Sequence, residues 1–193
     1  MLFQKKIFYP CFGEDWHAHI PLPKDRCLPQ HTDSFKNAEL VILSPGIPRD
    51  HQALSELSNI PIWSEVELAS RYTNLPIIAV TGTNGKTTTV SWLEHMFGLA
   101  NIPVFVGGNI GTPFCEIHND SKRYAEAQYI VLELSSFQLE SLDQMPIKVA
   151  MILNIELAHG ERYGVFDEYL DAKWQITKNL AKTDYFIYLR DSQ

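Results

Sequence analysis

Ile77-Ile78-Ala79-Val80-Thr81-Gly82-Thr83-Asn84-Gly85-Lys86-Thr87-Thr88 decides the fold of this chain. An uninterrupted apolar run predicts a buried strand, and a glycine-containing loop follows it. Val90, Leu93, Phe97 and Ala100 then recur at three- and four-residue spacing, which predicts one face of a helix. A loop between a strand and a helix start is where a phosphate-binding loop must sit. Gly82 and Gly85 let the backbone come close to a ligand, while Thr83 and Asn84 complete the loop and Thr88 lies in the first helical turn. Amides at a helix N-terminus, together with the helix dipole, favour an anion. Lys86 is placed to neutralise β- and γ-phosphates, and the Thr87 hydroxyl to help hold Mg²⁺. The usual phosphate-loop pattern has a further glycine where this chain has Val80, so the loop is a variant.

Outward from this loop, short apolar runs alternate with helical stretches. Val104-Phe105-Val106, Tyr129 to Leu134, Val149 to Leu153 and Tyr185 to Leu189 predict strands, and a helix is expected from about Asp167 to Leu180. Upstream, Leu40 to Leu43 and Ile60 to Trp63 predict strands and Arg49 to Leu57 a helix. A further helix through Glu65, Leu68 and Ala69 is capped by Ser64. The first forty residues, broken by Pro10, Pro21, Pro23 and Pro29, read as loops with short strands. The pattern predicts an α/β fold with a mostly parallel sheet covered by helices on both faces. Ligands of such sheets gather at the carboxyl ends of the strands. A domain boundary is expected near Asn74-Leu75-Pro76.

Three further segments follow predicted strands. Gly107-Gly108-Asn109-Ile110-Gly111 suggests close approach to a ligand with the Asn109 amide as donor, although a plain glycine-rich turn stays open. In Leu132-Glu133-Leu134-Ser135-Ser136-Phe137-Gln138-Leu139-Glu140, Glu133 ends an apolar strand. A carboxylate there is costly to bury unless paired or metal-bound. It is a candidate Mg²⁺ ligand, a solvated strand-end carboxylate being the alternative. Ser135 and Gln138 are candidate substrate donors. In Asn154-Ile155-Glu156-Leu157-Ala158-His159, the histidine could bind metal, orient a substrate or simply face solvent.

Bulk composition narrows the function. The 193 residues carry a formal net charge of -7 with no long basic run, which argues against nucleic-acid binding. Cys11, Cys27 and Cys115 lack metal or disulfide spacing and read as reduced cytosolic thiols. No apolar run reaches the roughly 18 residues a membrane helix needs, so no membrane association and a cytoplasmic location are expected.

Taken in order, Gly-Thr-Asn-Gly-Lys-Thr-Thr, Gly-Gly-Asn-Ile-Gly, Glu-Leu-Ser-Ser-Phe-Gln-Leu-Glu, Asn-Ile with a downstream His159, and Ala172-Lys173 resemble the Mur ligases from about residue 38 onward. Within that family, the Ser-Ser-Phe-Gln run and Ser44-Pro45-Gly46-Ile47 point to the branch that joins D-glutamate to UDP-N-acetylmuramoyl-L-alanine in peptidoglycan synthesis. The resemblance implies an ATP-dependent, ADP-forming ligase acting through an acyl phosphate. It implies Lys86, Glu133, His159 and Lys173 as catalytic residues, with Thr87, Glu133, His159 and Lys173 around metal and Lys173 carrying a carbamate. Ser44, Pro45 and Gly46 would contact the uridine-diphosphate end, and Asn109, Ser135 and Gln138 the nucleotide-sugar substrate. Leu157-Ala158 and Glu161 depart from the acidic pattern the family has around the histidine. The implied organisation is a partial, Rossmann-like UDP-substrate domain over residues 1–75 and an incomplete central ATP-binding domain over 76–193, without the C-terminal ligase domain. Such a fragment is not expected to be active alone. A sister Mur ligase, a folate polyglutamylating enzyme and a catalytically dead nucleotide-binding module remain as alternatives; no Asn-Lys-x-Asp motif supports a GTPase-like switch.

Overall fold

The computed structural model describes residues 9–10, 27–28, 38–47, 51–54, 57, 59–120, 122–156 and 163–189. The chain divides into two compact units, Met1–Val41 with Ile47–Pro61, and Ile42–Gly46 with Ile62–Gln193. In the first, strands β1 (Tyr9–Pro10) and β2 (Cys27–Leu28) pair in parallel. Instead of the helix expected from Arg49 to Leu57, the described residues hold a single 3₁₀ turn at Gln52–Leu54. The bonds Leu54 N to His51 O, Leu57 N to Leu54 O and Ile60 N to Leu57 O all span three residues, so the backbone winds too tightly for an α-helix.

Strands β3 (Val41–Leu43) and β4 (Ile62–Ser64) form a second small sheet. Helix α1 (Glu65–Ser70) starts where its sequence signal lies: the Ser64 hydroxyl accepts from Glu67 N at 3.2 Å. The compact unit that contains α1 therefore begins before the Asn74-Leu75-Pro76 segment, and a buried carboxylate shows why. Glu67 is fully buried and accepts from the amides of Asp143 (3.0 Å), Gln144 (3.0 Å) and Met145 (3.2 Å). Arg71 Nε donates to it at 2.7 Å, while the guanidinium also bonds Asp143 and lies over the Trp63 ring. Helix α1 is thereby clamped to the segment of residues 143–145.

The main sheet has five strands, all parallel: β5 (Ile77–Thr81), β6 (Val104–Gly108), β7 (Tyr129–Glu133), β8 (Ile147–Ile152) and β9 (Tyr185–Tyr188), in the order β6-β7-β5-β8-β9. Alternate side chains point to opposite faces. Ile77, Ala79, Ile130 and Leu132 pack with Val66, Phe114, Leu139 and Ile176, whereas Ile78, Val80 and Val131 pack with Val90 of helix α2 (Lys86–Leu99). Each fully buried valine, leucine or isoleucine among these contributes about 1.5–3 kcal/mol. Both faces are covered, as the continuous apolar strands required. Val90, Leu93 and Phe97 form the inward stripe of α2, but Ala100 is the exposed C-cap residue, because the helix ends one position earlier.

Short helices α3 (Glu116–Asn119) and α4 (Ser136–Leu139) follow β6 and β7. Helix α5 (Phe166–Trp174) tightens into a 3₁₀ turn at Gln175–Thr177 and stops short of the expected Leu180. Among the described residues no helix is long and apolar enough to cross a membrane.

Replacing Glu67 with alanine leaves three backbone amides, that of Met145 buried, and a partly exposed guanidinium without their common acceptor. Glu67→Ala should lower the free energy of urea unfolding by about 3–5 kcal/mol; a loss under about 1 kcal/mol would show the clamp to be incidental.

Candidate functional site

The carboxyl ends of β5, β6, β7 and β8 bring the sequence motifs together. Gly85 caps α2 at φ 81°, a left-handed conformation that glycine adopts without strain. Gly82 is buried, and a Cβ there would lie 3.1 Å from the Leu153 side chain and 3.3 Å from Asn84 O. The first backbone bond of α2 runs from Thr89 N to Gly85 O. The amides of Lys86, Thr87 and Thr88 thus precede the helical ladder, as leading helix donors do. The Lys86 ammonium folds back onto the loop, donating to Gly82 O at 2.9 Å and Thr83 O at 3.0 Å.

Glu133, only 1 % exposed, reaches this helix start: Thr87 Oγ1 donates to its Oε2 at 2.8 Å. Asn109 Nδ2 donates to Oε1 at 2.9 Å, and Asn109 N donates to Glu133 O at 2.8 Å. The strand register sets this up, since Gly108 stands beside Glu133 and a Cβ on it would lie 2.3 Å from Glu133 O. Among the described residues no lysine or arginine forms an ion pair with Glu133. The carboxylate is buried against two neutral donors, an arrangement that leaves its charge to be met by a cation. A hydroxyl and a carboxylate are the hard oxygen donors Mg²⁺ takes, usually completed by phosphate and water oxygens. Among the described residues no group of three His, Cys, Asp or Glu gathers.

Lys173, on α5, is 1 % exposed. Its ammonium donates to Gly82 O at 3.0 Å, stands 3.5 Å from Thr81 Oγ1 and lies 4.6 Å from the Tyr169 ring centre. Burial, and then the neighbouring Lys86 charge, push its pKa down to about 8. Two cations therefore meet at the Gly82 carbonyl within an acidic protein.

The remaining expected residues fall as follows. Ser135 and Gln138 bond each other in a capping box at the start of α4: Gln138 N donates to Ser135 Oγ at 3.3 Å and Ser135 N to Gln138 Oε1 at 3.0 Å. The spacing Ser-x-x-Gln is itself the sequence signature of that box. Ser44, Pro45 and Gly46 form the turn after β3. His159 lies outside the described residues.

Several contributors are not among the expected site residues. Asn154 and Glu156, just after β8, bond the loop at Thr83 and Asn84. The Tyr169 hydroxyl shares a 3.1 Å hydrogen bond with Thr83 Oγ1, and burial of the phenol raises its pKa. A signal for Asn154 and Glu156 was available: they follow the strand predicted to end at the same sheet edge.

Comparison with known proteins identifies the family. The family profile described as "Mur ligase middle domain" matches residues 80–193. The curated UDP-N-acetylmuramoylalanine–D-glutamate ligase of Geotalea uraniireducens is 41% identical over 160 residues, covering 82% of this chain and 35% of that protein. Its counterpart in Oceanobacillus iheyensis is 40% identical over 155 residues, covering 79% and 34%. The chain thus spans about a third of the length of the curated relatives it matches. Among solved structures, MurF ligase from Thermotoga maritima in complex with ADP superposes with a TM-score of 0.52 at 26% identity, over 66% of this chain and 31% of that one. A ligase of Neisseria meningitides, UDP-N-acetylmuramate:L-alanyl-gamma-D-glutamyl-meso-diaminopimelate ligase, shares the fold with a TM-score of 0.56 at 14% identity, over 86% of this chain and 57% of that one. With the profile covering more than half of its residues, this chain belongs to the Mur ligase family, of which it carries the middle domain.

Proposed function

We propose that the chain supplies the ATP-phosphate and Mg²⁺ site of an ADP-forming ligase that adds D-glutamate to UDP-N-acetylmuramoyl-L-alanine in peptidoglycan synthesis, in the cytoplasm. The observation that carries this reading is the 2.8 Å contact between Thr87 Oγ1 and the buried Glu133, at the head of a helix whose leading amides precede its ladder. The branch follows from the D-glutamate ligases that are about 40% identical.

A carboxylate is a poor electrophile, and transfer of the γ-phosphoryl group to it creates a leaving group that an incoming amine displaces. Such chemistry depends on positioning and charge neutralisation. The amides of Lys86, Thr87 and Thr88 would take the phosphate oxygens. Lys86 would leave the loop carbonyls for the phosphates, a short swing for a flexible side chain. Thr87 and Glu133 would hold Mg²⁺, which supplies charge neutralisation between phosphate oxygens when bound. Lys173, with its amine partly neutral near pH 8, is suited to take up CO₂ as a carbamate, and the adjacent Lys86 would offset the resulting negative charge. Asn109, Ser135 and Gln138 are assigned to the nucleotide-sugar side, Ser44, Pro45 and Gly46 to its uridine-diphosphate end, and His159 to a second metal. Residues 1–75 are assigned to the substrate domain and 76–193 to the ATP domain, with α1 packed in the same compact unit as the main sheet.

Two measurements test the site. Lys86→Ala should weaken Mg·ATP binding to the chain, followed by titration calorimetry, at least about tenfold; unchanged affinity would mean that the loop is a remnant. Lys173 has a second, pH-dependent signature. Its folded pKa, about 8, lies below its ordinary 10.5, so the unfolded chain holds a proton the folded chain has released between those values. Stability from this residue must then rise with pH across that window, and below pH 8 the rise is absent. In CO₂-free buffer, the parent should gain roughly 1–3 kcal/mol over Lys173→Met between pH 7.5 and 10 in urea unfolding. A flat or falling difference would contradict a buried ammonium at this position.

A further inference from the structure

Asn154 grips the phosphate loop from the neighbouring strand. Its Oδ1 accepts from Thr83 N at 3.1 Å and Asn84 N at 2.9 Å, and its Nδ2 donates to Asn84 O at 3.1 Å. Its own carbonyl accepts from Thr83 N at 3.0 Å as well. Two residues on, Glu156 adds a second hold. Asn84 Nδ2 donates to Glu156 Oε2 at 3.2 Å, Glu156 N donates to Thr83 Oγ1 at 2.9 Å, and Thr83 Oγ1 donates to Glu156 O at 3.1 Å. The loop amides of Thr83 and Asn84 are therefore spent inside the protein, while those of Lys86, Thr87 and Thr88 stay ahead of the helical ladder. This division has a physical consequence. A loop with unpaired amides must be ordered at the moment of binding, which costs affinity; one fixed beforehand does not.

We propose that Asn154 is a positioning residue for the phosphate site, locking Thr83 and Asn84 so that the loop stands open and presents the leading amides of α2 to an anion. It acts through the loop and not on the ligand. The proposal rests on the phosphate-site reading above and assigns it a control point on a different strand.

The test compares the parent chain with Asn154→Ala and Asn154→Asp by two readouts. One is amide hydrogen exchange at Thr83 and Asn84 without nucleotide; the other is calorimetric affinity for Mg·ATP. Asn154→Ala should lose protection at the Asn84 amide, whose acceptor is the side-chain oxygen, keep it at Thr83, which still donates to the residue 154 carbonyl, and in the β5 strand amides, and bind Mg·ATP about tenfold more weakly. Asn154→Asp keeps an oxygen acceptor for both amides and should keep their protection. Retained protection of the Asn84 amide in Asn154→Ala, retained affinity despite its loss, or no return of that protection in Asn154→Asp would each overturn the proposal. If Asn154→Ala does not fold, Asn154→Ser, too short to reach both amides, is judged by the same outcomes. Failure of the parent itself to bind Mg·ATP would remove the phosphate-site reading, and this proposal with it, and is recognised because no variant is involved.

Discussion

The contact between the Glu133 carboxylate and the Thr87 hydroxyl ties the rest of the structure together. Moving a carboxylate from water into a protein interior is expensive, and here no basic side chain among the described residues offsets it. The hydrogen bonds from Thr87 and Asn109 recover part of that cost. The remainder makes sense if the native function brings a cation to the same point. Three strand ends have to be in register for this to happen: β5 leads into the loop, β7 carries the carboxylate, and β6 supplies the Gly108 step that lets Asn109 reach across.

Around that carboxylate the charges are segregated. Lys86 and Lys173 meet at the Gly82 carbonyl on the loop side, while Glu133 sits beside the helix start. A chain of net charge -7 can therefore present a local cationic cradle. The Tyr169 ring and hydroxyl serve both halves, one facing the Lys173 ammonium and the other bonded to Thr83. Helix α5 thereby contributes to the loop's surroundings although it lies far along the chain.

Much of this was legible in the sequence because the signals are local. The β5–loop–α2 unit, the Ser64 cap and the strand-end position of Glu133 each depend on residues within one or two turns of each other. What escaped depends on neighbours fixed only by strand order. Asn154 could be placed after a strand, but its grip on Thr83 and Asn84 follows from β8 lying next to β5. The clamp at Glu67 likewise joins segments remote in sequence. Ser135 and Gln138 show another limit: the same residues read as substrate donors also satisfy a capping box, and the structure has them bonded to each other. Of the helix expected at Arg49 to Leu57, the described residues hold three-residue turns instead.

The most direct measurement is a crystal structure of the chain grown with Mg²⁺ and a non-hydrolysable ATP analogue. The account expects the phosphate tail on the amides of Lys86, Thr87 and Thr88, with Mg²⁺ between the phosphate oxygens, Thr87 Oγ1 and the Glu133 carboxylate. Phosphates bound elsewhere, or a cation that leaves Glu133 bonded to Thr87 and Asn109 as it now is, would contradict it.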